Sequence, residues 1–191
     1  MDYSVGKIIR LYYQLSNFTT DSAFIFEEYK NQTMNEAHLH LVVNHFPIIG
    51  TILGFGILLV GVISKNNSVK NTAYCLFILG AFFAFASMAT GEGAEEMVED
   101  MPTIGHKIIH EHEEMAEKLA VVLYLLGLVS IAGLYMNLKN HSKATLVSFL
   151  ALVIAAVGIF LGQQTGTTGG KIRHTEIREN NNPNLINKNK K

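Results

Sequence analysis

The chain is poor in charge, nearly free of cysteine, and lacks the short motifs that mark hydrolytic enzymes. Only 16% of its 191 residues are charged, against 49% hydrophobic, and the formal net charge is −1. Soluble domains carry roughly 25% charged residues. The shortfall is concentrated in four uncharged runs, so the apolar content is organised and not merely high. Basic residues form no continuous stripe, which removes nucleic acid as a partner. Cys75 is the single cysteine, which excludes a disulfide framework, a CxxC pair and a thiolate-rich metal site. Its apolar surroundings predict a small buried hydrophobe. Neither HExxH nor GxSxG occurs, and no nucleophile is identifiable, so hydrolysis has no catalytic group.

What the chain does have is hydrophobic length. Residues 41–63, 72–91, 119–138 and 144–163 each meet the requirement of about 20 apolar residues for a membrane crossing. Two connections, SKNNSVKN and KNHSK, are short and lie on one side; the long connection lies on the other. Short connections force antiparallel neighbours, so the expected fold is all-α, an up-down bundle of four transmembrane helices. Gly50 and Gly54, and Gly158, Gly162 and Gly166, have the small-xxx-small spacing that permits close helix contact in lipid. Residues 1–37 carry Val5, Ile8, Leu11, Tyr12 and Leu15 at helical spacing. They read either as a short amphipathic helix on the membrane surface or as a plain surface helix. No apolar signal-peptide core is visible there. Residues 38–178 form the membrane domain, and the polar tail 179–191 is expected to be disordered. Lys65, Lys70, Lys139 and Lys143 crowd the short loops, while the long loop is acidic. This favours cytoplasmic short loops and both termini outside, although the tail is itself basic.

Seven of the eight histidines fall on the side away from the short loops; His141 is the exception. His38, His40 and His45 open the first span, His106, His110 and His112 precede the third, and His174 follows the fourth. Glu92, Glu95 and Glu96 join them after the second span. A helical projection at 100° per residue separates the candidates. His112 falls in an apolar face with Ile108, Ile109 and Met115 and is expected to point into the bundle. His106, His110, Glu113 and Glu117 form an opposite, solvated stripe. In the first span His40, Asn44, Pro47, Thr51 and Gly54 share a face, with His38 and His45 on a neighbouring one. An ionisable group one turn inside an apolar run, as His45 is, usually faces protein or a cavity. Pro47 strips the Val43 carbonyl of its partner and predicts a kink beside His45. At 1.5 Å rise per residue, His38 or His40 matches the height of His112 better than His45 does. The glycines at 166, 169 and 170 permit a sharp turn, with a helix C-cap as the simplest use. The segment Ile172, His174, Glu176 would then fold back over the helix ends.

HLHLVVNHFPIIG, ATGEGAEE, HEHEEMAE and GGKIRHTEI, in that order, resemble a domain family of unknown function found in four-helix bacterial membrane proteins. The resemblance covers about residues 36–178. The matching positions include His38, His40, Asn44, His45, Pro47, Glu92, Glu95, Glu96, His112, Glu113, Glu114, Gly169, Gly170, Arg173, His174 and Glu176; His106 and His110 stand outside it. It implies the fold and a place in the bacterial cytoplasmic membrane, with only a loose suggestion of b-type haem or metal binding. Three functions are compatible with the residues. One is haem b held by His112 with His38, His40 or His45, supported by His174, for electron transfer with a quinone or a respiratory membrane complex. In that reading carboxylates orient the second ring nitrogens. Another is a Zn, Fe or Cu ion held by His112, His40, His45, Glu92, Glu95, Glu96 and Glu113 for metal handling. The third has no cofactor, with the cluster bracing the helix ends of an accessory subunit.

Overall fold

A computed structural model describes residues 36–99, 101 and 104–178. The chain divides into two units, Met1–Asn35 and Glu36–Lys191, and the second contains everything described. The surface helix expected before Glu36 and the disordered tail expected over 179–191 lie outside the described residues. The elements are α1 (Glu36–Val43), α2 (His45–Ile63), α3 (Asn67–Glu96), α4 (His106–Leu138) and α5 (Ala144–Arg173), followed by a 3-10 turn, Thr175–Ile177. With α1 and α2 taken as one broken helix, the four helices have 28, 30, 33 and 30 residues, all long and apolar enough to cross a membrane. Thirty residues extend about 45 Å, more than the roughly 30 Å hydrocarbon core. The helix ends therefore project into the headgroup layer.

The outward faces are apolar: Leu53, Phe82, Leu128 and Val153 are all exposed, which in water would be a fault and in lipid is the requirement. Between the helices the contacts rest on small residues. A Cβ at Gly54 would lie 2.5 Å from Phe77 Cε1, and one at Gly133 would lie 2.6 Å from Tyr74 Cζ. Tyr74 and Phe77 are thereby enclosed among Leu58, Leu123, Leu126, Ala151 and Ala155. Ser148 Oγ gives its proton to the Ala144 carbonyl at 3.1 Å, so the Tyr74 hydroxyl donates to it at 2.9 Å. Each helix packs on its sequence neighbours, and α5 closes back on α2. Helices α2 and α4 are therefore diagonal, as are α3 and α5.

Both hairpins turn in the same way. Lys65 and Asn140 have φ of 52° and 50°, the left-handed conformation that ends many helices. Lys65 N–H donates to the Val62 carbonyl and Asn66 N–H to that of Gly61; Asn140 and His141 bond Asn137 and Met136 in the same pattern.

The kink expected beside His45 is present: the first crossing breaks at Asn44, a turn before Pro47, whose ring nitrogen has no hydrogen to give the Val43 carbonyl. Three local expectations are corrected. Helix α5 does not cap at its glycines but runs through Gly166, Gly169 and Gly170 to Arg173. A helix meets its own backbone hydrogen bonds at the membrane surface, where a free turn would expose them. Gly166 has no neighbour within 4 Å of a built Cβ, so it does not share the packing role of Gly158 and Gly162. Cys75 is exposed on the outer face of α3 and not buried; an apolar run in lipid does not distinguish inside from outside. Replacing Gly54 by Val should destabilise the detergent-solubilised protein by about 1–3 kcal/mol through overpacking against Phe77. Gly56→Val, at a position with nothing within 4 Å, should unfold close to wild type in the same thermal melt.

Candidate functional site

The inward face of the first crossing is the one that carries His40, Asn44, Pro47, Thr51 and Gly54: the last three are buried and the first two half-buried. His40 Nδ1 lies 3.0 Å from the Ser87 carbonyl oxygen and 3.2 Å from Thr90 Oγ1. A carbonyl only accepts, so Nδ1 carries the hydrogen. Thr90 spends its own proton on the Ala86 and Ser87 carbonyls at 3.0 and 3.1 Å, which leaves its oxygen as a second acceptor. In the neutral ring Nε2 then holds the lone pair.

Helices α4 and α5 repeat the arrangement. His112 Nδ1 lies 3.2 Å from Thr168 Oγ1, whose proton goes to the Thr165 carbonyl at 3.0 Å. The hydroxyl must therefore accept from Nδ1–H, with the Thr165 carbonyl beside the ring. In each hairpin a histidine at the third position of an HxH triplet docks on Ser/Thr-x-x-Thr-Gly of the returning helix: His40 on Ser87, Thr90 and Gly91, and His112 on Thr165, Thr168 and Gly169. His40 and Thr90 are 50 residues apart with Lys65 midway, and His112 and Thr168 are 56 apart with Asn140 midway. Equal arms on either side of the turn are what bring each ring level with its threonine. The two histidines lie on diagonal helices, near enough that the charge of one acts on the other.

The glycines admit the rings unequally. A Cβ at Gly169 would lie 2.9 Å from His112 Cε1, and one at Gly91 would lie 3.9 Å from His40 Cε1. One turn beyond His40, Asn44 Oδ1 is buried without a hydrogen-bond partner. An orphaned acceptor inside a membrane bundle is costly, and it leaves a place for a donor that the described residues do not supply.

Of the other expected site residues, His45 turns outward and donates Nδ1–H to the Leu41 carbonyl of its own helix at 2.9 Å. Its depth in the apolar run is relieved by that local bond and not by a cavity. His38 is exposed. His174 Nδ1 lies 2.8 Å from Glu176 Oε1, with both side chains well exposed. Hydrogen bonds from its own backbone amide and from His174 hold the Glu176 carboxyl below the ordinary carboxylate range. That pair lies in the turn after α5 and does not touch the buried rings. The carboxylates form a separate outer layer. Glu95 lies beside Glu113, with Glu99 and His106 nearby, and His110 lies 3.7 and 3.4 Å from Glu113 and Glu114; Glu92 and Glu96 are exposed. Among the described residues no three His, Cys, Asp or Glu side chains are grouped closely enough to hold an ion. The expected role of carboxylates in orienting the inner rings falls instead to carbonyl and hydroxyl oxygens, which carry no charge into the membrane. Ser87, Thr90, Thr165 and Thr168 were not expected; the signal lay in the paired strings SMATG and TGTTG.

Comparison with protein-family models, with curated proteins and with solved structures gives no match. The unequal glycine contacts carry their own test. Gly91→Ala should gain up to about 1 kcal/mol from helix propensity. Gly169→Ala should forfeit that gain by pressing the His112 ring off its threonine. Thermal unfolding of both variants in detergent measures the difference, and equal stabilisation would contradict it.

Proposed function

We propose that the protein is an electron-transfer component of the bacterial cytoplasmic membrane, with a b-type haem held between His40 and His112. The observation that supports this is the commitment of Nδ1 in both rings to a neighbouring helix, while no hydrogen bond among the described residues engages Nε2. Ligating histidines are characteristically held in this way, one ring nitrogen on an oxygen acceptor and the other facing the metal. The number of donors favours haem over a bare ion. His40 and His112 would supply the two imidazoles by which a b-type haem could be held, whereas a structural zinc takes four protein ligands. When bound, the haem supplies a one-electron couple. The chain's part is to fix both ring tautomers through Ser87, Thr90, Thr165 and Thr168. Gly169 admits the His112 ring, and Asn44 Oδ1 offers an acceptor at the site. The lysine-rich short loops support a cytoplasmic position for the opposite end; on this reading the histidines face the outer side, in reach of a quinone or a respiratory complex in the membrane.

The test is a reduced-minus-oxidised visible spectrum of the detergent-purified protein, taken with elemental analysis. A Soret band with sharp reduced α and β bands is expected in wild type, His45→Ala and His106→Ala. It should be absent from His40→Ala and His112→Ala. Bound metal without those bands would replace this reading by ion handling. Neither haem nor metal would leave the histidines as braces between helices.

A further inference from the structure

The opposite end of the bundle holds a second site. Helices α2, α3 and α5 border a cavity of about 390 Å³, open to the surface and lined by Val62, Lys65, Asn67, Lys70, Thr145 and Phe149. Lys70 is only 6% exposed. Its stem lies against Gly61, where a Cβ would come within 2.8 Å of Lys70 Cγ, so the glycine is what lets this lysine sit between helices. No hydrogen bond or ion pair engages its ammonium among the described residues, and the helix stretches around it carry no carboxylate. Residues 37–91 and 118–175 contain no aspartate or glutamate at all. Lys65, Lys70, Lys139 and Lys143 therefore crowd one face with no counter-charge from these helices. The Asn66 side chain already accepts from the Ser68 and Val69 amides, so attraction for an anion comes from the lysines and not from the helix end.

The positive-inside tendency accounts for lysines in short loops. It does not account for a lysine whose stem is buried between helices and whose ammonium opens onto a cavity without a partner among the described residues. An external anion seated in that cavity supplies the partner. The apolar part of the lining says which kind: Val62 and Phe149 form it, and Phe149 belongs to the exposed, lipid-facing surface of α5 with Leu146, Leu150 and Val153. We propose that this cavity seats the phosphate of an anionic phospholipid, with its oxygens on Lys70 and Lys65 and an acyl chain along Phe149. Basic pockets between transmembrane helices on the cytoplasmic side bind such headgroups. The inference is independent of what the histidines hold.

The full chain, delipidated in detergent, would be titrated with phosphatidylglycerol, phosphatidylcholine and inorganic phosphate, with retention read by native mass spectrometry and stability by thermal unfolding. Phosphatidylglycerol should be retained and should raise the unfolding temperature, with the other two much weaker. Lys70→Gln and Lys65→Gln should each weaken retention about fivefold. Lys139→Gln, on the same face but outside the cavity, should not. Should Lys70→Gln fail to fold, the exposed Lys65 carries the comparison. Phosphatidylglycerol binding that ignores both substitutions would overturn the proposal. So would inorganic phosphate that stabilises as strongly as the lipid, or a wild type that responds to none of the three.

Discussion

A neutral imidazole inside a bundle has one N–H to give, and where it gives it decides what the rest of the ring can do. Most of the architecture at the long-loop end follows from that hydrogen. Helix carbonyls are already engaged in their own ladders, so a second acceptor is found only where a carbonyl can take two bonds or where a hydroxyl has spent its own proton. Ser87 and Thr90, and again Thr165 and Thr168, meet both conditions. A threonine bonded back to its own helix is a small polar group at no cost in charge. It turns the flank of an apolar helix into an acceptor for a ring on the next one.

The second hairpin repeats the first at three levels: the left-handed turn, the equality of the arms on either side of it and the docking of its histidine. The turn residue matters because it fixes the register of the returning helix. Shifting either arm by one residue would rotate its threonine by about 100° and move it 1.5 Å along the axis, taking the acceptor away from the ring. The helices therefore keep their level because the turns do, and the turns keep theirs through the Lys65 and Asn140 conformations. The described carboxylates all lie at the long-loop end, around Glu95 and Glu113, together with Lys107, Lys118, Lys171, Arg173 and Arg178. The short-loop end carries lysines without a described carboxylate, and few ionisable groups lie between.

Much of this could be read in the sequence, for physical reasons that also explain what could not. The four crossings were legible because lipid demands uninterrupted apolar length. His112 was legible because its neighbours Ile109 and Met115 supply a helical stripe even above the membrane. Height along the helix favoured His38 or His40 over His45 as its counterpart, and of these two His40 is the one turned toward the neighbouring helix. His45 was misjudged because depth alone was used, and a ring can satisfy itself on the carbonyl four residues back. Gly169 was read as a stop because glycine ends helices in water; here it is a gap filled by a ring. Thr90 and Thr168 escaped notice because threonine is unremarkable in membrane helices until its partner is known. Cys75 and Lys70 show the limit from both sides, since no one-dimensional pattern distinguishes a lipid-facing position from an interior one on an all-apolar helix.

The central claim is a pair of half-buried rings that carry hydrogen on Nδ1 and leave Nε2 bare. It is tested most directly by nitrogen-15 NMR of histidine-labelled protein in detergent at neutral pH before any cofactor is added, with His40→Ala and His112→Ala used for assignment. The account predicts that both side chains show a protonated Nδ1 and an unprotonated Nε2. Hydrogen on Nε2 in either ring, or rapid averaging between the two nitrogens, would contradict it.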